Sequence, residues 1–297
     1  MSDGVGLRSK RGPILLAMMV STALVAIDST ALAPAVVSIT DEIGGFSSFP
    51  WLFSIYLLTS AVTVPIYSKL ADTIGRKPIL LVGIGIFLIG SILCAVAWSM
   101  PALIIARAIQ GIGGGAILPV TVTIIGDLYS IAERAKVQAY TAGVWAVAAV
   151  VGPTLGGIFA QLDAWRWIFI INIPLGALAA WFILTRYHEQ VHRRRHRIDV
   201  AGAVLLTIGA TLLVLGVLEG GQAWAWSSVP SIAVFAAGAL ALVGFVFVER
   251  RAAEPVLPMS MLARPIILAN VILGFSIGAG LIGLTAYIPT YLEIGAG

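Results

Sequence analysis

The sequence predicts an all-α integral membrane protein, and three observations carry that prediction. Of its 297 residues, 59% are apolar and only 11% charged, against roughly 45–50% and ~25% in soluble domains. Mean hydropathy is +1.01. The apolar residues also fall in continuous runs rather than in the ~10-residue alternating segments of a membrane β-barrel, and at ~20 residues per helical span the composition suffices for about nine spans.

In chain order the runs cover approximately 14–38, 49–68, 78–98, 102–126, 137–160, 168–185, 198–218, 229–248 and 266–291. The first follows Arg8, Lys10 and Arg11 and contains Ala31-Leu32-Ala33, features shared with secretory signals. Its apolar sequence runs on to Ile39 and carries the acid Asp28, so it reads as a span. Spans two and three are joined by a short charged segment in which Gly75 permits a tight turn. Span four carries Arg107, and span five is rich in glycine around Pro153. Span six follows Trp165-Arg166-Trp167 and ends in a basic segment, 187–197. Two plain apolar spans occupy 198–248, a second loop 249–264, and a ninth span begins at 265.

Sixteen of the 18 Lys and Arg lie before span one or between even and odd spans, which places the N-terminus in the cytoplasm. Six of the eight tryptophans (Trp51, Trp98, Trp165, Trp167, Trp224 and Trp226) fall at the opposite boundary, where indoles favour the interface. The net charge of +4 therefore reads as an orientation signal rather than as a nucleic-acid footprint. A single cysteine, Cys94, excludes an intrachain disulfide or cysteine-based metal site. His188, His192 and His196 have helical spacing, yet the arginines among them would repel a cation, so the segment is expected to meet anionic lipid and no metal site is expected.

An ionisable side chain near the bilayer centre costs at least ~2.5–3.5 kcal/mol and is a functional candidate by default. Asp28 is expected to line a central cavity and to take up protons or meet substrate charge, the alternative being a purely structural hydrogen-bonding role. Arg107, descending in span four as span one rises, could reach the same depth and couple to it, or form a static salt bridge. No His-Glu-x-x-His, Gly-x-Ser-x-Gly or paired intramembrane carboxylates suggest an enzyme.

Five strings then resemble one family. Ser68-Lys69-Leu70-Ala71-Asp72-Thr73-Ile74-Gly75-Arg76-Lys77 is similar to the cytoplasmic signature of the major facilitator superfamily, with Ser68 in place of its first glycine. Arg107-Ala108-Ile109-Gln110-Gly111-Ile112-Gly113 resembles the superfamily's span-four motif. Gly143, followed by Gly152-Pro153-Thr154-Leu155-Gly156-Gly157, resembles its antiporter motif. Asp28-Ser29-Thr30 and the stretch from Trp165 to Gly176 are similar to signatures of the fourteen-span drug:proton antiporters, with Ala33 where an Asn is usual.

The resemblance implies a six-helix bundle over 1–186, two extra central spans and the first helix of a second bundle from 265, with about five spans of the family pattern lying beyond it. It implies proton-coupled export of amphipathic, cationic compounds across the inner cell membrane, driven by the proton-motive force without a cofactor. Asp28, Thr30, Arg107, Gln110 and Asn172 would handle proton and substrate. Asp72, Gly75, Arg76 and Lys77, joined by Asp127 and Arg134, would latch the cytoplasmic side, and Gly143, Gly152, Pro153, Gly156 and Gly157 would set antiport behaviour. A metabolite transporter of the same fold and a non-transporting membrane module are the alternatives.

Overall fold

The computed structural model describes residues 5–189, 199–221, 223–255, 257, 259–262 and 264–295. His192, His196 and the arginines from 193 to 197 lie outside the described residues. The chain forms α1 (Gly12–Ala31), α2 (Val36–Ile43), α3 (Pro50–Ile74), α4 (Arg76–Ala95), α5 (Met100–Leu128), α6 (Ile131–Gln161), α7 (Trp167–Ile170), α8 (Asn172–Arg186), α9 (Val200–Glu219), α10 (Val229–Glu249), α11 (Met259–Leu262) and α12 (Pro265–Gly295). Among the described residues the only β-type pairing is an isolated bridge between Gly220 and Trp224. Eight helical segments are long and apolar enough to cross a membrane, and α12 occupies the ninth apolar run.

Two runs are interrupted. The first breaks after Ala31 into a 3₁₀ turn, Ala33–Ala35, because Pro34 offers no N–H and its ring crowds the carbonyl four residues back. The helix then resumes as α2 and stops at Gly44, whose φ of +71° suits glycine and whose N–H reaches Thr40 O at 2.9 Å. The sixth run divides at Ile171, three residues before Pro174, leaving Asn172 in the first turn of α8. Ends elsewhere have local causes: Ser99 caps α5 by accepting from Ala102 N, and Ser130 with Glu133 forms a capping box on α6.

α1 packs between α6 and α8, while α5 packs between α3 and α4, and α4 also meets α8. Glycine brings α4 and α5 nearly backbone to backbone. A Cβ at Gly113 would sit 2.3 Å from Phe87 N, and one at Gly90 would sit 2.5 Å from Gln110 N. This close approach sets Gln110 beside Ser91. α9 and α10 pair with one another, and α9 docks on α3, where Trp51 Nε1 donates to Glu219 Oε1 at 2.6 Å.

The bundle interior holds two apolar clusters. One, around Leu15, Ile84, Phe87, Ile117 and Ile124, fills the half in which α1 begins. The other, around Leu32, Leu52, Leu103, Trp165 and Phe169, fills the opposite half. Between them lies a seam of polar side chains.

Candidate functional site

That seam is built on four helices and braced by a fifth. Asp28 comes from α1, Ser91 from α4, Arg107 and Gln110 from α5, and Asn172 from α8, all of them at most 1% exposed. Arg107 Nη1 donates to Asp28 Oδ2 at 2.7 Å, and Gln110 Nε2 and Asn172 Nδ2 each donate to Asp28 Oδ1 at 2.8 Å. The carboxylate thus receives three donors. Arg107 is held in turn by Gln110 Oε1 at 2.6 Å and, through Nε, by Leu52 O at 3.1 Å. Its guanidinium carbon lies 4.4 Å from the centre of the Tyr56 ring on α3, a cation–π contact that offsets part of its desolvation. Ser91 Oγ accepts from Gln110 at 2.8 Å and from Asn172 at 3.2 Å, binding the two amides together.

Sequence reasoning placed Asp28, Arg107, Gln110 and Asn172 together, and the structure brings all four into one network. Two expectations change. Asp28 does not line an open cavity: it is 0% exposed, and its charge is taken by Arg107. Thr30 is not part of this cluster, because two residues along a helix turn the side chain by roughly 200°. Its hydroxyl donates instead to Ala148 O on α6 at 3.0 Å. Ser91 and Tyr56 were missed. Serines within helices usually bond back to their own turn, so nothing in the sequence singled Ser91 out.

Thr30 meets the glycines of α6. A Cβ at Gly152 would lie 1.9 Å from Thr30 Oγ1, and one at Gly156 would lie 2.1 Å from Ala31 O, so these two positions let α1 and α6 cross closely. A Cβ added at Gly143 or Gly157 would meet nothing within 4 Å, so these two glycines take no part in that crossing. Pro153 is exposed within an unbroken α6.

At the end of the bundle where α1 begins, Gly75 turns the chain with φ of +120° between α3 and α4. Arg76 Nε lies 2.8 Å from Asp127 Oδ2 at the end of α5, and Arg76 Nη2 lies 3.6 Å from Asp72 Oδ1. Glu189, unremarked in the sequence, accepts from the backbone N–H of Arg76 at 2.6 Å and of Lys77 at 2.8 Å, capping α4. Lys77 Nζ donates to Leu184 O and Tyr187 O at the end of α8. Burial, followed by the Glu189 and Asp127 carboxylates, pushes the Tyr187 phenol above its ordinary value and keeps it neutral. Arg134 does not join this latch. It donates to Gly126 O and Tyr129 O, closing the exposed carbonyl end of α5.

The opposite end has a clamp that the sequence did not announce. Arg166 Nη1 reaches both carboxylate oxygens of Glu42 at 2.7 and 2.8 Å, Arg166 Nη2 reaches Ala97 O at 3.1 Å, and Trp165 Nε1 donates to Glu42 Oε2 at 2.7 Å. The tryptophan-arginine string therefore ties α2, the end of α4 and the start of α7 together.

Residues 18–297 match the Major Facilitator Superfamily. The chain belongs to that superfamily. It is a multi-pass membrane protein of the major facilitator fold. It is 37% identical over 280 residues to Multidrug resistance protein 3 of Bacillus subtilis, a match covering 94% of this chain and 55% of the relative. It is 35% identical to Efflux pump FUS6 of Gibberella fujikuroi over 96% of the chain and 54% of that protein. The chain thus spans about half the length of the curated relatives it matches. Among solved structures, the human organic anion transporter MFSD10 superposes with a TM-score of 0.53 at 20% identity, covering 69% of this chain and 55% of that one. The D-xylose-proton symporter superposes with a TM-score of 0.51 at 16% identity, covering 80% and 67%. These likenesses show the major facilitator fold.

Proposed function

We propose that this chain carries the proton-coupling bundle of an efflux transporter that exports amphipathic compounds in exchange for protons, set in the inner cell membrane with its N-terminus in the cytoplasm. The observation that carries the reading is the Asp28–Arg107 pair: a titratable carboxylate, sealed from water, at the junction of five helices. Its setting supports exchange, since α1, which bears it, crosses α6 at the glycines of the antiporter-like string. The names of relatives, a multidrug resistance protein and efflux pumps, point the same way. Alternating access in such folds requires a second bundle to rock against this one.

The network is complementary to ionised Asp28. A proton on Oδ1 would face the N–H groups of Gln110 and Asn172, and a proton on Oδ2 would face the guanidinium. Gln110 cannot turn, because Arg107 holds its Oε1 while Asp28 and Ser91 hold its Nε2. Asn172 can, since its Oδ1 is buried without a partner. Half a turn of that amide converts it into an acceptor for protonated Asp28 and for the Ser91 hydroxyl together. Proton arrival would then loosen Arg107 and shift α8 against α1. Paired with Arg107, Asp28 does not itself argue for a cationic substrate.

The test is proton-driven export in inverted vesicles bearing the protein expressed from its whole reading frame. Asp28→Asn should abolish export that depends on the pH gradient; export at the wild-type rate would overturn the reading.

A further inference from the structure

Two buried rings join the Glu42 clamp to the Asp28 network. Trp165, 0% exposed, gives its indole N–H to Glu42 and carries the Arg166 guanidinium carbon 4.3 Å from its ring centre. The same ring meets Phe169 edge to face, with centroids 6.3 Å apart and planes at 87°. Phe169 is also 0% exposed, and its ring centre lies 6.0 Å from the guanidinium carbon of Arg107. Glu42 itself is exposed, so the series runs from the surface of the bundle to its buried ion pair.

The backbone follows the same line. Between Trp165 and Ile171 the chain is a run of hydrogen-bonded turns, with Ile168 N bonding Trp165 O at 3.0 Å, Phe169 N bonding Arg166 O at 3.1 Å and Ile171 N bonding Trp167 O at 3.0 Å. Asn172, whose amide holds Asp28, follows at once. A displacement of the indole is therefore passed to Arg107 through the Phe169 ring and to Asp28 through Asn172. Leu32, Leu52 and Leu103 belong to the same buried cluster as the two rings, and a close-packed interior transmits strain rather than absorbing it.

We infer that Trp165 and Phe169 are positioning residues that couple the Glu42 clamp to the Asp28–Arg107 pair: the closed clamp holds Arg107 on Asp28, and opening the clamp loosens the pair. Coupling between two sites is reciprocal, so a rearrangement of the pair on proton uptake loosens the clamp to the same degree. The use of this strut in transport rests on the export reading; the coupling itself does not.

Cys94 supplies the readout, since it is 0% exposed and its Sγ lies 3.9 Å from Gln110 Oε1, against the network. In membranes bearing the protein expressed from its whole reading frame, the rate at which permeant N-ethylmaleimide modifies Cys94, followed by mass spectrometry of its peptide, reports opening of the network. Glu42→Ala should raise that rate roughly tenfold, the value of one charge-assisted hydrogen bond, although the partners of Glu42 are Trp165 and Arg166 rather than any member of the network. Glu42→Gln keeps an acceptor for the indole N–H and should stay within about threefold of wild type. Phe169→Leu should accelerate labelling as Glu42→Ala does, and the double variant should exceed neither by more than about twofold, because a strut cut once has nothing left to transmit. Arg11→Gln removes a tie of like kind at the other end of the bundle, to Leu128 O and Glu133, and should leave the rate unchanged. A wild-type rate in Glu42→Ala, equal acceleration by Arg11→Gln, or multiplied effects in the double variant would overturn the inference. If Phe169→Leu fails to fold, the exposed Glu42 and Arg11 variants decide alone. Proton-driven export measured in the same membranes keeps the two readings apart: no export with this labelling pattern intact would discard the export reading and leave the strut standing.

Discussion

Asp28 and Arg107 each occupy a place where a lone charge would be intolerable, and each is tolerable because of the other. Removing one partner of a buried pair leaves the remaining charge uncompensated and costs ~3–5 kcal/mol, whereas removing both can be nearly neutral. Asp28→Asn and Arg107→Gln are therefore each expected to lower the thermal midpoint in detergent, with the double variant recovering much of the loss. Additive losses would mean the pair is not coupled. Asn172→Leu should be different. It keeps the volume and leaves the ion pair intact, so it costs only ~1–2 kcal/mol of stability. Proton-driven export should nevertheless fall at least about tenfold if the turning amide is what accommodates the proton; wild-type export would discard that role. At this scale the sequence was informative in proportion to how conspicuous a residue is. A charge inside an apolar run stands out, so Asp28 and Arg107 were legible, and Gln110 and Asn172 followed from their motifs. Ser91 is one small polar residue in an apolar helix, and only the close approach of α4 to α5 gives it meaning. Thr30 was drawn to Asp28 by the motif the two share, but two residues along a helix put it on nearly the opposite face.

The crossing of α1 and α6 shows the same lesson for elements. The glycine string of α6 reads as a unit in sequence, but the structure divides it by face. Gly152→Ala and Gly156→Ala would drive a methyl into Thr30 and the Ala31 carbonyl and should cost ~1–3 kcal/mol. Gly143→Ala and Gly157→Ala meet open space and should be neutral or stabilising by up to ~1 kcal/mol, since alanine favours the helix. Thermal midpoints of the four variants check the division, and equal losses at all four would refute it. Helix positions were legible because hydrocarbon demands long apolar runs with internally satisfied backbones. The breaks near Pro34 and at Ile171 were not, because hydropathy averages over a proline that interrupts the hydrogen-bond ladder. The cap that Glu189 places on α4 was hidden by a different cause: it joins positions 113 residues apart.

For the whole molecule, the charge map and the single buried thiol make orientation directly measurable. Cys94 is 0% exposed and should be silent toward a membrane-impermeant maleimide, so the native chain is its own background. On intact cells Ser227→Cys, in the exposed turn between α9 and α10, should be labelled, and Ala135→Cys, at the start of α6, only after lysis. The reverse pattern would invert the topology. The helical bundle also carries its fixed charges in three tiers, with Glu42 and Arg166 at one end, Asp28 and Arg107 within, and the Arg76 group at the other end. The middle tier is neutral as long as Asp28 is ionised, and a neutral pair feels little of the membrane voltage. Once a proton neutralises the carboxylate, the guanidinium becomes a net charge inside the dielectric, subject to ~2.3 kcal/mol per 100 mV across the full thickness. On the export reading proposed above, the same two side chains that hold the bundle together would make it voltage-responsive in its protonated form, with the electrical half of a proton-motive force acting on the protonated bundle and passing over the unprotonated one.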